Sequence, residues 1–377
     1  MRLLIFLFAL CPFAWAANTT SGGKIVCYFA SWSHKRKGNG SFTVSDIDAS
    51  ICSHFIWSFA TIQENEIAVP NRNGSNGIRE FVALRSRNPR AKFLVAVGGA
   101  KNSKGPKYSN MVSSPRSRGE FINSSVDFLK QYNLDGLDMD WEYPTFHGGV
   151  PSDRENFVLL LKELKERFNQ EGGYLLTAAL APNQRVAAKA YDIPGISQHV
   201  DFINLMTYNF YGAWKTHTGH PARLQGSGEI SVDSSVKYWL DGGTPKEKLV
   251  IGVPTYGKSW TLSDPNNHDV GAPTSGVGQP GPYTQTPGTL AYNEFCEQIN
   301  AGQWTVEFDQ QAKAPYAYKG DQWIGYENIQ SAKDKANFIR NSELGGAMIW
   351  TIDFDDFRGR CGEKYGILRG LNDVLRN

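Results

Sequence analysis

The stretch Leu134-Asp135-Gly136-Leu137-Asp138-Met139-Asp140-Trp141-Glu142-Tyr143-Pro144 decides how this chain is read. As a strand over Leu134–Glu142 it sends alternate side chains to opposite faces. Asp138, Asp140 and Glu142 then form a row spaced about 6.5 Å apart, with Leu137, Met139 and Trp141 behind them. Packing does not explain three carboxylates on one face, because burying each of them unpaired is costly. A solvated acidic loop would not carry the apolar alternation. Crowded carboxylates cannot all ionise, so one or two keep a proton near neutral pH, and a raised pKa is what a general acid needs. Glu142, last in the row, is best placed to reach a ligand. The rival chemistry is a metal site, but no His stands nearby on a strand and His147 lies in a Gly-rich loop. No metal and no cofactor are expected.

Outward from this stretch, eight short apolar runs rich in Val, Ile, Phe and Tyr recur: 25–30, 53–60, 93–97, 134–141, 175–180, 202–208, 249–254 and 347–352. Helical spacing lies between several of them. Over 155–168, Phe157, Leu160, Leu161, Leu164 and Phe168 share one face, and 121–132 is similar. Continuous apolar strands alternating with helices indicate a parallel sheet buried on both sides, and eight units are the count of an α/β (β/α)8 TIM barrel. From Lys258 to Gly325 the rhythm breaks. A structureless loop of that length is improbable in a compact domain. The expectation is a small α+β insertion between strands seven and eight, walling one side of the site.

Composition sets the remaining bounds. In 377 residues, 39 Lys+Arg face 37 Asp+Glu and hydrophobic residues make up 41%, which excludes disorder and gives no electrostatic reason to expect nucleic acid. No period of 20–50 residues suggests a solenoid or propeller. Met1-Arg2, the apolar run Leu3–Leu10 and Ala14-Trp15-Ala16 read as a secretory signal peptide cut after Ala16, too short for a membrane anchor. The domain then covers 17–377, secreted and extracellular, with no membrane partner and as a monomer. Of five cysteines, Cys11 falls in the leader. The other four, Cys27, Cys52, Cys296 and Cys361, read as two disulfides with three possible connectivities, of which pairing sequence neighbours is the simplest. Asn18, Asn39, Asn73 and Asn123 open glycosylation sequons.

Aromatic residues give the second signal. Tyr28, Trp32, Phe59, Tyr208, Trp214, Tyr256 and Trp350 fall at or just past expected strand ends, as a stacking surface for sugar rings would. A carboxylate row with an aromatic cleft points to a glycoside-cleaving enzyme. Asp135-x-x-Asp138-x-Asp140-x-Glu142 resembles the DxxDxDxE signature of family 18 glycoside hydrolases, the chitinases. Gly98-Gly99 resembles the end of their SxGG motif and Met206-Thr207-Tyr208-Asn209 their MxYD. Pro254-Thr255-Tyr256-Gly257 and 345–350 are similar to their strand-seven and strand-eight motifs, and the cysteine placements match the animal-type group. The resemblance runs along essentially the whole mature chain. It implies a retaining, substrate-assisted mechanism on chitin and chitooligosaccharides. In that mechanism Glu142 is the acid/base, Asp140 holds the acetamido N–H, Asp138 shares a proton with Asp140, and Tyr208 fixes the acetamido carbonyl. Trp350 is the implied floor, and Tyr28, Phe59, Gly98, Gly99, Ala100, Tyr143, Ala181, Met206, Asn209, Trp214 and Tyr256 are the implied substrate contacts.

Four positions depart from the family pattern: Ala100 for Trp, Ala96 for Ser, Asn209 for Asp and Lys258 for Arg. No separate chitin-binding module is expected before Asn377. Two other readings compete. A chitinase-like lectin would bind without cutting, and an endo-N-acetylglucosaminidase would share the machinery but act on N-glycans.

Overall fold

The computed structural model describes residues 23–70, 72–226, 228 and 230–376; the side chains of 72–76 are outside it too. The expected leader at 1–16, the sequon at Asn18 and the side chain of Asn73 therefore lie outside the described residues. Eight parallel strands close into a barrel: β1 (Lys24–Ala30), β2 (His54–Gln63), β3 (Lys92–Gly98), β4 (Gly136–Asp140), β5 (Leu175–Leu180), β6 (Phe202–Leu205), β7 (Leu249–Pro254) and β8 (Gly346–Trp350). Each pairs with the next, and β8 closes on β1 with Lys24 opposite Gly346. The (β/α)8 expectation holds.

Alternation divides every strand between two cores. Ile25, Cys27 and Phe29 of β1, Phe93, Val95 and Val97 of β3, and Leu137 and Met139 of β4 pack outward into the layer shared with the helices. Val26, Tyr28, Leu94, Ala96, Ala179, Met206, Val250 and Met348 fill the interior. Asp138 and Asp140 alternate with Leu137 and Met139, so the carboxylates face inward. Full burial of a single Val, Leu or Ile contributes roughly 1.5–3 kcal/mol. The two-sided burial explains the continuous apolar runs.

Strand ends differ from the sequence reading where capping and turns intervene. The helix Pro115–Tyr132 starts on a capping box between Ser114 and Ser117 and ends at Asn133 in the left-handed region (φ 53°), where the Leu134 N–H returns to the Leu129 carbonyl. Leu134 thus belongs to the helix cap, and β4 begins at Gly136. β6 stops at Leu205 because the N–H groups of Thr207 and Tyr208 fold back onto the carbonyls of Leu205 and Met206.

After β7 the chain enters a six-stranded antiparallel sheet: Tyr256–Leu262, Thr274–Val277, Thr289–Ala291, Thr305–Asp309, Ala314–Lys319 and Gln322–Gly325, with the helix Tyr292–Asn300. This is the α+β insertion, packed around buried Trp260 and Trp323. Cys27–Cys52 joins β1 to the approach of β2, and Cys296–Cys361 ties the insertion's helix to the segment after β8. Native disulfides are typically worth about 2–5 kcal/mol each.

Candidate active site

The β4 register sets the site. Asp138 lies opposite Ala96 of β3 and Thr177 of β5, and Asp140 lies opposite Gly98. Gly98 has φ +134°, and a Cβ there would come within 1.9 Å of the Asp140 carbonyl oxygen, so no other residue fits the approach. Gly99 follows at φ +82° with its N–H on the same oxygen at 2.9 Å. The Gly98-Gly99 pair therefore seats the carboxylate strand. Both glycines line the larger hollow described below, not the one that holds the carboxylates.

Asp138 is completely buried and takes three hydrogen bonds. The Tyr28 hydroxyl donates to Oδ2 at 2.7 Å, the Thr177 hydroxyl to Oδ1 at 2.5 Å, and Asn204 Nδ2 to Oδ1 at 3.1 Å. Asn204 also donates to the Tyr28 oxygen at 3.0 Å, which closes a network across the barrel from β1 to β6. Burial pushes Asp138 above the usual carboxylate pKa, and the three bonds draw it back part of the way. Ala96 puts a methyl beside Asp138 where the family pattern has a hydroxyl; here the donors come from other strands. Both Asp138 oxygens are occupied by these partners, whereas Asp140 Oδ1 is buried with no hydrogen-bond partner among the described residues. Burial, reinforced by the charges of Glu142 and Asp138, holds the Asp140 pKa well above the ordinary value.

The expected row of three is two on the strand and one beyond it. β4 ends at Asp140, and Glu142 sits on the following turn with its N–H on Ser103 Oγ at 2.9 Å. Ser103, itself buried, also donates to the Asp140 carbonyl at 3.3 Å. Beyond Glu142, Asp153 anchors the loop by accepting from the N–H groups of Val150 (2.8 Å) and Thr145 (3.3 Å) and from Ser109 Oγ (2.6 Å). Burial raises the Glu142 pKa to about 7, against the opposing pull of the Tyr143 hydroxyl and the Ala100 N–H. At neutral pH this carboxyl can both donate and accept a proton.

Asp140 and Glu142 open onto a cavity of about 510 Å³, which also collects Tyr28, Phe59, Ala100, Tyr143, Ala181, Met206, Tyr208, Asn209, Trp214 and Trp350. A hollow of about 910 Å³ adjoins it, and the two share Phe59, Ala100 and Trp350. They form two arms of one cleft. Trp350 stacks on Phe59 (centroids 5.5 Å, 24°), and Phe59 stacks on the exposed Trp32 (5.9 Å, 22°), a continuous aromatic floor. Tyr208 is buried, and its hydroxyl pKa is raised by burial, so it stays a donor.

Tyr256 departs from the expected contacts. It is buried and is not among the residues lining the cavity; its hydroxyl donates to Asn209 Oδ1 at 2.8 Å and its ring lies 6.3 Å from that of Tyr208. Asn209 is exposed on the wall with φ 56°. Lys258 stands 5.2 Å over the Tyr256 ring and 5.9 Å over the Trp214 ring, its ammonium on Thr289 Oγ1 at 3.0 Å. The sequence reading does not single out Thr177, Asn204 or Ser103. For the first two a signal exists: a lone polar residue at an inward position of an apolar strand, as in Leu176-Thr177-Ala178 and Ile203-Asn204-Leu205. Among the described residues, Cys296, Asp356 and Cys361 are the cluster close enough to hold a cation, and both sulfurs are already joined in a disulfide.

The family model for glycosyl hydrolases family 18 matches residues 24–355. Endochitinase of Manduca sexta is 39% identical over 394 residues, covering 99% of this chain and 71% of that protein. Probable chitinase 10 of Drosophila melanogaster is 36% identical over 371 residues, and this chain spans 16% of its length. The crystal structure of the Ostrinia furnacalis Group IV chitinase superposes with a TM-score of 0.91 at 38% identity, covering 94% of this chain and 100% of that one. Human YKL-39, described as a pseudo-chitinase with retained chitooligosaccharide binding, superposes at 0.88 with 37% identity and the same coverage. The barrel, the inward carboxylates and the match across 24–355 place this chain in glycosyl hydrolase family 18.

Proposed function

We propose that the protein is a secreted chitinase that cleaves β-1,4-linked N-acetylglucosamine polymers with retention of configuration. The observation that carries this reading is Glu142, partly buried on the cavity wall with its pKa near 7, beside Asp140 and above the hydrogen-bonded Asp138. Glu142 protonates the glycosidic oxygen. The acetamido carbonyl of the same sugar then attacks its own anomeric carbon to give an oxazolinium, and the aglycon leaves. Asp140, with one oxygen unpartnered, receives the acetamido N–H and offsets the developing positive charge. Tyr208 holds the acetamido oxygen in line, and Trp350 carries the sugar face. Glu142, now ionised, takes a proton from the water that opens the oxazolinium.

Two disulfides and the leader-like 1–16 support an extracellular site of action. Likeness to YKL-39 and the small Ala100 at the junction of the arms favour a second reading, a lectin that binds chitooligosaccharides without cutting them. The proton-holding Glu142 favours the enzyme. Incubating purified protein with a fluorogenic chitobioside separates the two: release of fluorophore supports the chitinase, and binding without release supports the lectin.

A further inference from the structure

Away from the carboxylate row, the charged side chains on the cleft wall are Lys35, Lys101 and Lys215, against one carboxylate, Glu80. Lys35 and Lys101 border the larger arm, and Lys215 the smaller. The bias is local, since basic and acidic residues nearly cancel over the chain, 39 to 37. All three lysines are exposed. Among the described residues no ion pair engages any of them, whereas Lys130, Lys165, Lys237, Lys246 and Lys335 each hold a carboxylate. Lys258, over the Trp214 ring, likewise rests on a hydroxyl, that of Thr289.

A neutral polymer gains little from such a set, and glucosamine units that have lost their acetyl groups are repelled by it. An anion is what the wall complements. Lys35 and Lys101 line the same arm as the aromatic floor of Trp32, Phe59 and Trp350, so a sugar stacked there would carry its ring substituents in an arm bordered by both ammonium groups. We propose that the cleft prefers N-acetylhexosamine chains carrying an anionic substituent on units flanking the scissile sugar. Lys35 and Lys101 meet that anion in the larger arm and Lys215 in the smaller. This rests on the reading of the cleft as an amino-sugar site and names the substrate class within it.

The test uses Glu142→Gln, so that nothing is hydrolysed, and measures Kd by calorimetry for three probes: chitohexaose, chitohexaose sulfated at O6, and chitohexaose oxidised to the carboxylate at C6. The quantity read is the ratio of neutral to anionic Kd, in which general damage to the cleft cancels. At about 50 mM salt the ratio should be roughly three- to tenfold in favour of the anion, and it should fall toward unity near 1 M salt, where screening is complete within ~3 Å. Adding Lys35→Gln, Lys101→Gln and Lys215→Gln together should also bring it near unity; the salt series on unsubstituted lysines stands even where that variant folds poorly. A gain for the sulfate alone, or the carboxylate alone, upholds the proposal and identifies the source of the anion. No gain for either, or a gain indifferent to both salt and the three lysines, overturns it. Failure of neutral chitohexaose to bind would instead overturn the amino-sugar reading itself.

Discussion

Glu142→Gln should make the protein more stable, by a margin that grows with pH. The carboxyl ionises near pH 4.5 in an unfolded chain and near pH 7 in the folded one, because burial disfavours its charged form. Below pH 4.5 both states hold the proton, and the folded state bears no ionisation cost. Between about 4.5 and 7 the native state binds the proton that the unfolded state has released, so wild-type stability declines as pH rises. Above 7 both states are ionised and the decline is complete. At 1.36 kcal/mol per pH unit, the interval from 4.5 to about 7 amounts to about 3 kcal/mol. Gln is isosteric and does not titrate, so its stability lacks this slope. Urea unfolding of both proteins at pH 4 and pH 8, with disulfides intact, should show the variant's advantage widening by up to about 3 kcal/mol at the higher pH. An advantage of the same size at both pH values would refute the claim that burial holds the Glu142 proton.

Thr177→Val removes one of the bonds that lower the Asp138 pKa, so the acidic limb of the kcat–pH profile should move to higher pH; an unmoved limb would mean that Asp138 need not ionise. Ala100→Trp adds a stacking face where the two arms meet, and at roughly 0.5–1.5 kcal/mol it should lower KM for chitohexaose by up to about tenfold; unchanged KM with an intact fold would remove position 100 from the substrate path. Asn209→Asp adds a negative charge on the cavity wall, which disfavours ionised Glu142, so the alkaline limb should move upward. Because position 209 is exposed, the move should be under about half a pH unit, and an acid-shifted limb would reverse the account.

The barrel was legible because a parallel strand buried on both sides is nearly all apolar, and eight such runs are hard to mistake. The carboxylates on β4 were legible for the opposite reason: charge at alternate positions of an apolar run has no packing explanation. What holds them was not. Thr177 and Asn204 meet Asp138 only because the parallel register sets β5 beside β4 and β6 beside β5, and Ser103 reaches Glu142 through a loop whose path the sequence does not encode locally. Tyr256 shows the same limit in reverse. Its place just past the seventh strand suggested substrate contact, yet Tyr256 is buried and its hydroxyl is taken up by Asn209 Oδ1, a partner that local sequence does not reveal. The insertion's strands were hidden by short length and frequent Gly and Pro, which mask a period of two.

Turnover of a fluorogenic chitobioside by Glu142→Gln, set beside its binding of chitohexaose, tests the central claim most directly. Gln keeps the shape and the hydrogen-bonding reach of Glu but has no proton to give. The account predicts that kcat falls by at least the ~10²–10⁴-fold typical of losing a general acid, while the oligosaccharide still binds in the aromatic cleft. A variant that retained a large fraction of wild-type turnover would show that Glu142 is not the acid.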